Sequence, residues 1–235
     1  MVRNSFLLEI SVETVEAAVA AERGGADRIE LCSDLRVGGL SPSVDLMGAV
    51  REAVRLPIFA MIRPRGGDFV YSEAEFIAMR RDIETAQQQH MDGVVLGILE
   101  KDRRVDVART HKLVDLARPL PVTFHRAFDE TPDLSEALED VIRTGSARIL
   151  TSGGAKTAAE AIVMLAQLVR GAGERIVVVP GAGINPSNIA QIARETGARE
   201  FHSGLSSVLA REAGAGRFKL MVAKLRAELK ESTQS

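Results

Sequence analysis

The chain has 235 residues, 46% of them hydrophobic, and a formal net charge of -2. That length can bury a full core, and the near-neutral balance gives no electrostatic case for nucleic acid or a membrane surface. One cysteine excludes an internal disulfide and a thiol zinc cluster, and no run approaches the ~20 apolar residues of a membrane helix, so a soluble, reduced, cytoplasmic protein is expected.

In chain order, Phe6-Leu7-Leu8 is too short for a signal peptide and is interrupted by Glu9; it predicts a strand near residues 6–11. An Ala/Glu-rich helix over 13–23 ends at Gly24-Gly25, a C-cap signal. A second strand near 27–32 runs into Glu30 and Cys32, and a helix over 43–54 follows Ser41-Pro42. A third strand near 57–63 runs into Arg63-Pro64-Arg65-Gly66-Gly67-Asp68; Ser72 then caps a helix over 73–88, with Glu75 at the capping-box position. Strands near 92–98 and 121–126 alternate with helices over 106–117 and 133–144, the second of these strands ending in His125-Arg126. Strands near 147–151, 175–180 and 199–203 end in Thr151-Ser152-Gly153, Gly181-Ala182-Gly183 and His202-Ser203-Gly204. Between and after them come helices over 156–170, over 186–196 (Asn185 as N-cap, Pro186 at the first helical position) and over 215–231, with a frayed tail at about 230–235.

The pattern is eight strands alternating with eight helices, with a mean unit of about 29 residues; it predicts a (β/α)8 TIM barrel forming a single domain over 1–235. Val/Ile/Leu-rich runs suit parallel strands covered on both faces. A weak repeat precedes the even-numbered strands, as in Gly25-Ala26-Asp27-Arg28 and Gly145-Ser146-Ala147-Arg148. A doubly wound open sheet lacks support, because no Gly-x-Gly-x-x-Gly follows the first strand.

In such a barrel the polar strand ends meet at one mouth. Period-two alternation pairs Glu9 with Ser11, Glu30 with Cys32, Met61 with Arg63 and Thr123 with His125. Glu9, Glu30, Arg63 and His125 are therefore candidates for proton transfer and anion holding, and a structural ion-pair network is the alternative. Arg65 and Arg126 add forked donors, although Arg65 could instead pair with Asp68 to brace its loop. Thr151, Ser152, Gly153, Gly181, Gly183, His202 and Ser203 make small-residue ends where backbone N–H groups could meet an anion, or are simply tight turns. Cys32 is a lone thiol that could be a small buried residue or, with Met61 and His125 or His202, part of a soft-metal site. Phe69 and Tyr71 could form a lid or an interface, and His90 and His111 are assigned no role.

Several long stretches resemble the copper homeostasis protein CutC family from about residue 7 to 204. They are Gly24-Gly25-Ala26-Asp27-Arg28-Ile29-Glu30-Leu31-Cys32, Gly38-Gly39-Leu40-Ser41-Pro42-Ser43, Met61-Ile62-Arg63-Pro64-Arg65-Gly66-Gly67-Asp68-Phe69, Thr123-Phe124-His125-Arg126-Ala127-Phe128-Asp129 and Arg148-Ile149-Leu150-Thr151-Ser152-Gly153. The resemblance implies a (β/α)8 barrel, a cytoplasmic location, copper binding or tolerance, and a homodimer or higher homo-oligomer. It also implies two thiols as ligands of Cu(I), of which Cys32 matches one position while Ser11, a hard hydroxyl donor, stands at the other. Two further readings remain beside it: a barrel enzyme acting on a phosphorylated or carboxylated small metabolite, with Glu9 or Glu30 as base, His125 as acid and Arg63 and Arg65 as anion clamp, and a non-catalytic binding scaffold.

Overall fold

The computed structural model describes residues 6–204 and 206–231. The strands are β1 (Leu7–Val12), β2 (Arg28–Leu31), β3 (Ile58–Met61), β4 (Gly93–Leu96), β5 (Val122–Phe124), β6 (Arg148–Thr151), β7 (Val177–Pro180) and β8 (Glu200–Ser203). Between and after them lie α1 (Val15–Gly24), α2 (Val44–Ala53), α3 (Glu73–Gln88), α4 (Val107–Ala117), α5 (Leu134–Thr144), α6 (Ile162–Ala172), α7 (Ile189–Thr196) and α8 (Ser206–Glu231), the last broken at Gly214. All pairings are parallel, in the order β7-β6-β5-β4-β3-β2-β1-β8. Because β1 pairs with both β2 and β8, and β7 lies beside β8, the sheet curls into the nearly closed (β/α)8 barrel that the alternation predicts. No helix among the described residues is long and apolar enough to cross a membrane.

Alternation along the strands separates two interiors. Leu8, Ile10 and Val12 of β1 and Ile29 and Leu31 of β2 join the continuous apolar layer between sheet and helices. Residues of the opposite parity turn to the barrel axis, where Cys32, Phe59, Met61 and Val95 form a separate small cluster. The guanidinium groups of Arg28 and Arg148 lie against the Phe59 ring, 4.8 and 5.2 Å from its centroid. Phe59 needs a glycine opposite: a Cβ on Gly93 would fall 2.6 Å from its ring.

Caps fix most helix ends where the sequence puts them. Thr14 accepts from the Ala17 amide, Gly25 closes α1 at φ 89°, and Ser72 with Glu75 forms the capping box of α3. The repeat before the even strands has a structural meaning: Asp27 accepts the Leu8 amide of β1, and Asp92 the Ile58 amide of β3, each tying an odd strand to the turn that enters its neighbour.

Three expectations change. α7 begins at Ile189 rather than 186, because Asn185 Oδ1 accepts from the Ser187 amide and Asn188 Oδ1 from the Asn185 amide, making a side-chain-closed turn instead of a first helical turn. α6 begins at Ile162, after a 3-10 turn over Ala158–Ala161. Of the tail expected to fray, Lys230 and Glu231 belong to the last turn of α8, and 232–235 lie outside the described residues.

Candidate functional site

The floor of the barrel mouth is a buried ion-pair layer centred on β1. Glu9 is level in register with Arg28 on one side and His202 on the other. Its Oε2 accepts from Arg28 Nε at 2.5 Å, and its Oε1 lies 2.7 Å from His202 Nδ1. Arg28 is 3% exposed and also donates to Glu200 at 2.7 Å, which in turn accepts from Arg148 at 3.0 Å. Burial opposes the charge on Glu9, but Arg28 and then His202 overcome it and hold its carboxyl at about 2. Arg28 and Glu200 carry this layer and are not among the predicted site residues; the signal was the shared parity of Arg28, Glu30 and Cys32 on one strand.

One level up, Glu30 and His202 line a cavity of about 730 Å³ that opens at the C-terminal ends of the strands, with Ser11, Met61, Arg63 and His125 also in its wall. Glu30 Oε1 stands 3.9 Å from His202 Nε2, and Glu30 Oε2 is buried without a hydrogen-bond partner among the described residues. Burial drives the Glu30 carboxyl up to about 7 against the pull of His202. His202, opposed by burial, is raised by Glu30 and Glu9. The ligand atoms of Glu9, Glu30 and His202 all lie within 4.8 Å of one another, a spacing that could hold a metal ion. Cys32 does not line the cavity. It is 0% exposed, with Sγ 3.8 Å from Val12 O and 4.0 Å from Glu30 Oε1, and burial, then the charge of Glu30, pushes its thiol well above the usual range.

The two arginines predicted as an anion clamp are tied up by the chain itself. Arg63 Nη1 donates to Val37 O and Gly39 O, Nη2 donates to Gly67 O, and the guanidinium lies 4.8 Å over the Phe69 ring. It stitches the loop after β2 to the loop after β3. Arg65 is outside the cavity and braces its own loop through Glu75 at 2.5 Å and Asp68 at 2.9 Å, over the ring of Tyr71. Tyr71 is buried beneath it, neither lid nor exposed interface.

The turn after β6 is likewise filled from within. Asp129 accepts from Thr151 Oγ1, Ser152 N, Ser152 Oγ, Gly154 N and Arg126 Nε, so an internal carboxylate takes the donors that the sequence offers to an anion. Gly153 N donates to Thr151 Oγ1, Gly181 N to Thr151 O, and Ser203 Oγ to Ile184 O. Gly183 lines the cavity in the left-handed region at φ 69°, its carbonyl accepting from Asn185 and Asn188. Asp129→Ala is expected to lower stability by about 3 kcal/mol in urea unfolding, since it strands several buried donors; a loss under 1 kcal/mol would show the turn to be self-supporting.

His125 follows β5 and is 4% exposed, against Phe69 with ring centroids 4.8 Å apart. Its Nδ1 accepts from the Ala127 amide at 3.2 Å, and its Nε2 has no partner among the described residues. Burial, then Arg63, pulls its pKa down to about 3, so it is a neutral imidazole rather than an acid. Gly97 makes its seat: a Cβ there would fall 2.6 Å from Nδ1. A lone glycine just past a strand was the only sequence sign of that role.

The family model described as the CutC family matches residues 6–207. The chain is 48% identical over 204 residues to the human protein named copper homeostasis protein cutC homolog, covering 87% of this chain and 75% of that one. It is 48% identical over 197 residues to a CutC family protein of Chromobacterium violaceum, covering 84% and 80%. The crystal structure of the CutC protein from Streptococcus agalactiae superposes with a TM-score of 0.80 at 32% identity, covering 84% of this chain and 98% of that one.

Proposed function

The chain belongs to the CutC family, a family of copper homeostasis proteins, and from that premise we propose that it takes copper as cargo at the mouth of its barrel, held by Glu30 and His202 and oriented by Glu9. The observation that carries this reading is the buried Glu9–Glu30–His202 group, with Glu30 Oε2 unpartnered beside His202 Nε2. A carboxylate bonded to the far nitrogen of an imidazole is a common support for a metal-bound histidine, and the 2.7 Å contact between Glu9 and His202 Nδ1 leaves Nε2 to face the cavity.

The donor chemistry favours divalent over monovalent copper. Carboxylate oxygen and imidazole nitrogen suit Cu(II), which binds such sites more tightly than other first-row divalent ions, whereas Cu(I) prefers thiolates. The thiol is held protonated by burial, and Ser11 offers a hydroxyl where the family resemblance implies a second thiol. The group also disfavours the phosphorylated-substrate reading, since the terminal nitrogens of Arg63, the guanidinium of Arg65 and the β6 turn already donate within the chain. We place the protein in the cytoplasm on the same footing, its single cysteine being a buried free thiol.

Calorimetric titration with Cu2+ against a competing chelator tests the reading. One site per chain is expected, weakened about 100-fold in Glu30→Gln and His202→Phe and within a few-fold of wild type in Cys32→Ser. Retained affinity in Glu30→Gln and His202→Phe, or its loss in Cys32→Ser, would sink it.

A further inference from the structure

The mouth cavity is much larger than a metal ion requires. At about 730 Å³ it has the volume of roughly two dozen water molecules and falls within the range of small-molecule sites. Its β5 side presents a polar group with nothing to bond. His125 is 4% exposed and lines the cavity; its Nδ1 is committed as acceptor to the Ala127 amide, so the single ring proton sits on Nε2, and Nε2 has no partner among the described residues. A buried N–H left unpaired costs about 1–3 kcal/mol, a cost that a bound acceptor removes. The ring is also held in place from two sides, by Phe69 and by the Cβ-free Gly97.

We propose that this cavity binds an uncharged metabolite bearing carbonyl or hydroxyl oxygens, one of which accepts a hydrogen bond from His125 Nε2. This goes beyond the copper reading and does not depend on it.

The charge of the ligand follows from what the wall leaves available. Both terminal nitrogens of Arg63 are spent on loop carbonyls, and Asp129 fills the turn after β6. Glu30, Asp129 and Glu130 add carboxylates to the same wall, and the half-exposed guanidinium of Arg126 there is already paired with Asp129 through Nε, so an anion would have to compete with an internal carboxylate. Burial and Arg63 keep the imidazole neutral, which suits a neutral acceptor rather than an anion. Apolar wall from Phe69, Met61 and Leu150 matches the carbon skeleton of a small polyol or hydroxycarbonyl compound.

The test uses the full chain treated with EDTA, so that its outcome is separate from that of the copper titration. Saturation-transfer NMR is run with dihydroxyacetone, D-xylose and glycerol, and in parallel with glycerol 3-phosphate and inorganic phosphate. At least one neutral compound is expected to give signal, reduced about tenfold in His125→Phe, as one lost hydrogen bond would produce. The same compound is expected to shift the 15N resonance of His125 Nε2 in the wild-type protein, a readout that stands even if the variant fails to fold. Silence from all three neutral compounds, binding by the phosphates alone, a signal unchanged in a folded His125→Phe, or an unmoved His125 resonance would overturn the proposal.

Discussion

Arg28→Ala is expected to lower the free energy of unfolding by about 3–5 kcal/mol at pH 7, among the largest effects of any single substitution in the chain. Among the described residues the guanidinium is the one cation placed against Glu9 Oε2, and it also bridges to Glu200 and packs over Phe59. Its removal leaves a buried carboxylate whose charge is held by His202. The cost also depends on pH. Glu9 has its folded pKa lowered from 4.5 to about 2, so its stabilising contribution is complete above 4.5 and is lost as pH falls toward 2. Arg28→Ala should therefore cost much less at pH 3 than at pH 7. Urea unfolding at both values checks this; a cost below 1 kcal/mol at pH 7, or one that grows on acidification, would show that the layer is not held by this pair.

Glu30→Gln should do the reverse and stabilise the protein above neutral pH. The folded pKa of Glu30 is raised from 4.5 to about 7, so the folded chain keeps a proton that the unfolded chain releases. Wild-type stability then falls as pH rises through that window, by about 3 kcal/mol at about 1.36 kcal/mol per pH unit. Glutamine has the same shape and never ionises. The variant should match wild type near pH 4, exceed it by about 3 kcal/mol at pH 8 and lose copper affinity at the same time. A Glu30→Gln protein less stable than wild type at pH 8 would mean that the carboxylate is a structural member of the ion-pair layer and not a strained group kept for a ligand.

The barrel was legible because two periods agree along the chain: short apolar runs at strand spacing, and capped helices between them. Thr14, Gly25, Ser72 and Glu75 sit at the ends that their chemistry specifies. Position at the mouth was legible as well, since Glu30, Arg63, His125 and His202 all line one cavity. Partnership was not. Parity tells that Arg63 reaches the mouth, but not that its donors turn back to Val37, Gly39 and Gly67. The Thr151-Ser152-Gly153 end reads as an anion cradle because its donors point that way, yet nothing local shows that Asp129, more than twenty residues earlier, supplies the anion. Cys32 has the parity of Glu30, but whether a thiol at a strand end faces the cavity or the packed axis depends on Phe59, Met61 and Val95 from two other strands.

Copper K-edge X-ray absorption on the protein loaded with one equivalent of Cu2+ tests the central claim most directly. The expected spectrum has a first shell of nitrogen and oxygen with imidazole scattering from His202, unchanged in Cys32→Ser and altered in Glu30→Gln. A sulfur shell that disappears in Cys32→Ser, with Glu30→Gln indistinguishable from wild type, would contradict it.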